Sequence, residues 1–421
     1  MKHQTMKRLC FLALMLSGIC VPARAQDTVH IRLQDAESLF YKRNLAVLAG
    51  RYNIDIARAQ LIQAKLFSNP VLSLNGNLYN PERRKFFDVG NKTGQYDIAL
   101  QQLIRLAGKR NKEIRMAETA VTLTEQQFGE LLRTLRYSLR SEFYSMYSLR
   151  NAVRAYDALI VSLETMDHSY DQLQAKGVVS LKDAVRIRAL LNSIRMDQAN
   201  LVNQLNESES AFRLLLQDNQ TYFVAEAGEP LTFSPPIPLQ ALVDTAYANR
   251  NDLRAAHTDI LLSKQNYTLQ RALAKPDMTL GAEFDKRGSF VDNASFLTVA
   301  FDLPFFNRNQ GNIRAARISI KQEELNAELV KQTVENDVQK AYVRFLNAQK
   351  LLQQTDPAFM RQFEKLLEGV TDNFRKKNIS LVEFTDFCQS YKDNMLQYNQ
   401  LQLEARQAAE ELNFAVGKII L

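Results

Sequence analysis

Glu383 and Asp386 stand three residues apart, so any helix that carries them presents both carboxylates on one face. Such a pair either attracts cations or solvates a helix surface. Nothing nearby turns it into a catalytic site. The chain has no nucleophile elbow, glycine-rich phosphate loop or metal motif. Leu106-Ala107-Gly108-Lys109-Arg110 lacks the leading glycine and four-residue spacing of a phosphate loop, and Glu323-Glu324 is ordinary solvated charge. Transition metals require clustered imidazole or thiolate ligands, but His30, His168 and His257 are scattered and have no cysteine beside them. Met146, Met166 and Met196 fall at seam-like helical spacing and read as packing. The expectation is a protein that is not an enzyme, with no catalytic residue, no metal site and no cofactor.

The elements that position these residues begin after a leader. Lys2, Lys7 and Arg8 precede an apolar stretch, Leu9 to Val21, and a small-x-small cleavage site, Ala23-Arg24-Ala25. Residues 1–25 therefore read as a cleaved signal peptide. Ile19 before Cys20 argues against lipidation. Cleavage removes four basic residues (Lys2, Lys7, Arg8, Arg24) and no acid, so the formal charge falls from +7 to +3. No nucleic-acid partner is expected from that balance. Of three cysteines only Cys388 survives, which excludes a disulfide scaffold. Among 421 residues there are 14 Gly and no Trp, and no proline lies between Pro81 and Pro230. A long proline-free run marks helix, because an interior proline costs about 3 kcal/mol.

The chain reads as a tandem repeat. Leu33-Gln34 recurs as Leu239-Gln240 and Asn69-Pro70 as Lys275-Pro276, both at an offset of 206. Leu103 recurs as Leu303, and Val179-Ser180-Leu181-Lys182-Asp183 as Ile379-Ser380-Leu381-Val382-Glu383, both at 200. The first repeat covers 26–228, with a β-hairpin at about 70–104 and a helical tip at about 174–183. A proline-rich crossover occupies 229–238. The second repeat covers 239–421, with a hairpin at about 276–305 and a tip at about 375–383. Each repeat opens with one helix, about Leu33 to Ser68 and Leu239 to Ala274. Period-two alternation then predicts strands. Leu72, Leu74 and Leu78 alternate with Ser73, Asn75 and Asn77. Leu280 and Phe284 alternate with Thr279, Glu283 and Asp285, and Val299 and Phe301 with Asp302. In the return strand of the first hairpin, Asp97 and Gln101 are the polar members.

A narrow apolar stripe then runs through Leu132, Leu135, Leu139, Phe143, Met146, Val153, Tyr156, Ile160, Leu163, Met166, Tyr170 and Leu173. It predicts a very long helix, with Asp356-Pro357 breaking its counterpart. Leu103 to Ser180 and Leu303 to Ser380 each measure 77 residues, about 115 Å if helical. Each repeat therefore reads as a rod: two stacked helices up, across a hairpin, one long helix down. An isolated hairpin is unstable in water. Four strands with an export signal fit a membrane barrel only if several chains close the ring. In that barrel Leu72, Leu74, Leu78, Leu280, Phe284, Val299 and Phe301 face lipid, and the polar residues line the lumen. The fold class is mainly α with a small transmembrane β part.

This plan resembles the TolC-like outer membrane efflux proteins. The motifs that carry the resemblance are Ser68-Asn69-Pro70, Leu303-Pro304-Phe305-Phe306-Asn307-Arg308, and the tips Lys176–Asp183 and Lys377–Glu383. The resemblance implies a homotrimer, with a twelve-stranded barrel in outer-membrane lipid of a Gram-negative bacterium and a twelve-helix periplasmic tunnel. It implies partners as well: a periplasmic adaptor and an inner-membrane pump of RND type. The tip residues Gly177, Val178, Val179, Ser180, Asn378, Ile379 and Ser380 would dock the adaptor; the second tip lacks the family's glycine. Asp183, Glu383 and Asp386 would be gate acids at the inner mouth, six carboxylates from Glu383 and Asp386 making it prefer cations. The arginine that pairs with the first-tip aspartate falls at Ile379, with Lys376 and Lys377 as neighbours. Asn378–Phe384 looks like the heavy-metal cation-efflux branch. The rival readings are a type I protein-secretion duct and a non-pore periplasmic coiled-coil scaffold.

Overall fold

A computed structural model describes residues 28–81, 83–226, 237–287 and 291–420. The signal peptide, the lipidation question at Cys20 and most of the 229–238 crossover lie outside these residues. The described parts of Met1–Phe40, Glu142–Pro230 and Glu364–Asn399 form one compact unit. Those of Tyr41–Ser141, Leu231–Phe363 and Gln400–Leu421 form the other.

The chain opens with β1 (Thr28–Ile31), α1 (Leu33–Arg43) and α2 (Leu45–Ala64), where sequence periodicity predicts one helix. The break is Asn44, whose backbone is extended and whose side chain caps α2 by accepting the Val47 N–H at 3.1 Å. β2 (Val71–Gly76), a small ribbon of β3 (Tyr79–Asn80) and β4 (Lys85–Phe86), and β5 (Tyr96–Ile104) follow. The long helix α3 spans Lys109–Ala175, 67 residues, and starts six residues later than Leu103 because left-handed Ala107 and Gly108 make the turn out of β5. α4 (Leu181–Leu216) returns to β6 (Tyr222–Ala225), which pairs in parallel with β1. This small sheet has no period-two run long enough to announce it in sequence.

The second half repeats the order as α5 (Leu239–Asn249), α6 (Asn251–Leu273), β7 (Met278–Asp285), β8 (Ala294–Phe301), α7 (Gln310–Gln354), α8 (Pro357–Arg375) and α9 (Leu381–Val416). The helix predicted from Leu239 to Ala274 is again two. Here the break is Arg250, also extended, which is buried and bound to Asp252, Asp337 and the Ala415 carbonyl. α7 and α8 part at Asp356-Pro357, as the sequence predicts.

The seam predicted for α3 is buried at Leu139, Phe143, Met146, Tyr156, Leu163 and Met166. Met196 is 70% exposed and not packed, because Ile187, Leu191 and Ile194 already supply the buried stripe of α4. In the other unit Leu242, Ala246, Val334, Val338, Ala341, Ala405, Ala408 and Leu412 form a core rich in alanine. Small side chains there let helices approach closely.

Candidate channel elements

The two hairpins join into one antiparallel sheet in the order β2-β5-β7-β8. Its register sorts side chains by face. Leu72 pairs with Leu100, Leu100 with Ala282, and Ala282 with Leu297. Leu74, Ile98 and Phe284 form the next row, and Gln102, Leu280 and Val299 another. Met278 and Phe301 close that face. Six of the seven residues expected to face lipid therefore share one surface, exposed at Leu72, Leu74, Val299 and Phe301. The seventh, Leu78, lies between β2 and β3, outside the sheet.

The other face carries Ser73, Asn75, Asp97, Gln101, Thr279, Glu283, Asp285 and Thr298. Asp97 and Asp285 are direct cross-strand partners, and Asn75 donates to Asp97 at 2.8 Å. Gly281 sits where a Cβ would press into Thr298 Oγ1, so the strands close there only without a side chain. Asn77 and Asp302 fall just beyond the strands. Among the described residues no helix is long and apolar enough to cross a membrane.

Both tips, in the other unit, are built alike. α3 ends at Gly177 (φ 71°), whose N–H donates to the Gln174 carbonyl while the Val178 N–H donates to Leu173. α8 ends at Lys377 (φ 61°), whose N–H donates to Phe374 while the Asn378 N–H donates to Asn373. The left-handed residue of the second tip is thus Lys377, not Asn378; it lies at the same offset of 200 as the Ser180–Ser380 pair. Val178 is exposed, Val179 and Ile379 are half-buried, and Asn378 is exposed.

Ser180 caps α4: the Asp183 N–H donates to its Oγ at 3.1 Å, and its hydroxyl donates to Asp183 Oδ2 at 2.7 Å. Ser380 and Glu383 form a reciprocal capping box, with the Ser380 N–H donating to Glu383 Oε2 at 2.7 Å and the Glu383 N–H to Ser380 Oγ at 3.2 Å. The Ser380 backbone N–H, then its hydroxyl, hold the Glu383 carboxyl below its usual range. The pattern Ser-x-x-acid is legible in sequence, yet reading Asp183 and Glu383 only as gate acids misses their part in capping. Asp386 is exposed one turn on. Neither Lys376 nor Lys377 pairs with Asp183 among the described residues. Burial pushes the Cys388 thiol up to about 12, which leaves it inert.

Residues 242–418 match the profile of the family described as outer membrane efflux protein. The cobalt-zinc-cadmium resistance protein CzcC of Cupriavidus metallidurans is 24% identical over 68% of this chain. In its second half the chain is similar to the outer membrane efflux proteins. Outer membrane protein TolC of Escherichia coli is 24% identical over 52% of it. These alignments span 66% and 48% of the relatives' own lengths. The open-state MtrE outer membrane channel of Neisseria gonorrhoeae shares the efflux-protein fold, with a TM-score of 0.73 at 16% identity, over 92% of this chain and 89% of that one.

Proposed function

We propose that the chain is the outer-membrane exit duct of a tripartite efflux system, a passive channel rather than an enzyme. The observation that carries the reading is the sheet: four strands with one face of apolar rows, broken only by Gln102 and Ser295 and exposed on the chain alone, and two open edges at β2 and β8. Apolar rows are stable outward only in lipid, and strand edges there must be paired. Three chains joined edge to edge would close a twelve-stranded barrel in the outer membrane, with Asn75, Asp97, Glu283 and Asp285 toward water. The similarity to CzcC favours divalent metal cations as cargo. The tips, with Gly177–Ser180 and Asn378–Ser380, would dock a periplasmic adaptor that links the trimer to an RND-type inner-membrane pump. Glu383 and Asp386, repeated three times, would give a cation-preferring mouth.

Reconstitution of the mature chain in planar bilayers tests the duct. Expected are a heat-resistant trimer and discrete conductance, lost in Leu74→Arg but retained in Thr298→Arg on the opposite face. A water-soluble monomer without conductance would sink the reading. In the same assay the Glu383→Ala/Asp386→Ala double variant should lose cation preference; unchanged selectivity removes the gate assignment alone. Bulky or charged substitutions at Val178 and Ser180 should abolish efflux while the trimer still forms.

A further inference from the structure

One margin of the sheet carries charge that channel function leaves unused. Pairing sets Val71 beside Gln101, Ile104 beside Met278, and Met278 beside Phe301, so all four strands meet their helices α2, α3, α6 and α7 on the same margin. Two acids there are already taken. Glu113 binds Arg105, and Asp277 binds the buried Lys109 at 2.7 Å. Lys65, Arg110, Lys112, Lys275 and Arg308 make no ion pair among the described residues. One other acid, Asp302, lies in these junctions.

Three of the five cations are held in place without being neutralised. Arg110 sits 4.0 Å over the Phe67 ring and donates to the Lys65 carbonyl. Lys112 Nζ donates to the Ala107 carbonyl at 2.8 Å, and Arg308 Nε to the Phe305 carbonyl at 3.2 Å. Among them stand aromatic rings that water does not favour: Phe67 is 77% exposed and Phe306 95%.

We propose that this margin is a docking surface for anionic phospholipid headgroups of the leaflet next to the helices. The proposal rests on the sheet being a membrane barrel. Exposed rings continuous with an apolar sheet face belong at the hydrocarbon–water boundary. Unpaired guanidinium and ammonium groups at that depth meet headgroup phosphates. The partner is therefore the lipid itself, selected by charge and anchored by the rings, and Arg110 with Phe67 forms a preassembled contact for one phosphate.

The test is lipid association of the purified, reconstituted chain, read as the immobilised fraction of spin-labelled phosphatidylglycerol against spin-labelled phosphatidylcholine. Wild type should select phosphatidylglycerol several-fold, less so as salt rises. Lys65→Gln/Arg110→Gln/Lys275→Gln/Arg308→Gln should remove the preference. A triple variant that keeps Arg110 guards against misfolding and should remove most of it. Arg83→Gln/Lys85→Gln, beyond the other margin, should leave it intact. Equal association of the two lipids with wild type, retention of the preference in both margin variants, or its loss in the control would each overturn the proposal. A chain that inserts and conducts without headgroup preference defeats this inference alone; one that inserts into no vesicle defeats the barrel reading.

Discussion

The two tip hairpins share a backbone and differ in what holds them. Both end a helix in a left-handed residue, restart it at a serine cap, and keep the same spacing. In the first, carboxylates of α3 meet guanidinium groups of α4. Arg188 bridges Asp167 and Asp171, and Arg195 binds Glu164 at 2.5 Å, all at least partly exposed. At four of these five positions the residue 200 places on, Leu367, Thr371, Cys388 or Met395, is uncharged and buried, and only Glu164 has an acid, Glu364, as its counterpart. Where the first hairpin has Gln174 and Ala184, the second stacks Phe374 on Phe384 at 4.3 Å, and Phe374 also stacks on Tyr170. Equivalent positions are thus solvated rungs in one hairpin and core in the other. The same contrast recurs at the paired helix breaks, 206 residues apart: Asn44 breaks its helix with a cap, Arg250 with a buried ionic knot. Backbone geometry can be kept while the interaction beneath it changes, provided each site satisfies its polar groups.

Truncating the aromatic stack should break the contrast hardest. Phe384→Ala should cost about 3–5 kcal/mol, seen as lost amide protection in α8 and α9 while the ion-paired rungs of α3 and α4 persist. Arg250→Ala should cost about 2–3 kcal/mol, less than a fully buried pair because Asp337 is half-exposed. Its thermal unfolding should also be less pH-dependent. Burial would raise the Asp252 carboxyl, but the hydrogen bond and charge of Arg250 outweigh it and hold that carboxyl low. Wild-type stability from this group is full above the ordinary aspartate range and lost as pH falls through the lowered value. The variant should lose that acid-side decline.

Asn44→Ala removes a cap rather than a charge and should cost about 1 kcal/mol. Equal losses at Asn44 and Arg250 in chemical denaturation would erase the distinction between the two breaks. At the turns, Lys377→Gly should stabilise by about 0.5–1 kcal/mol, since only the second tip holds a side chain in left-handed backbone. Gly177→Ala should destabilise by a similar amount. The smallest effect belongs to the solvated rungs. Arg188→Gln should lower the unfolding midpoint only slightly at low salt and not measurably at high salt; an effect as large as that of Phe384→Ala would show that the rungs are not surface pairs.

Sequence alone determined what depends on local spacing. Period two sorted Leu72, Leu74, Leu280, Phe284, Val299 and Phe301 onto one face, because a strand alternates whatever it pairs with. The seam of α3 and the break at Pro357 were legible for the same reason, as were tip positions marked by glycine and serine. Tertiary structure decided what depends on partners distant in sequence. That β5 pairs with β7 joins two hairpins no local pattern links, and β1 finds β6 almost two hundred residues on. Arg250 ends a helix because Asp337 and the Ala415 carbonyl bind it as well as Asp252, and only Asp252 lies beside it in the chain. Met196 fits the helical period but lies off the buried stripe, since periodicity names a face and only packing says which face is covered.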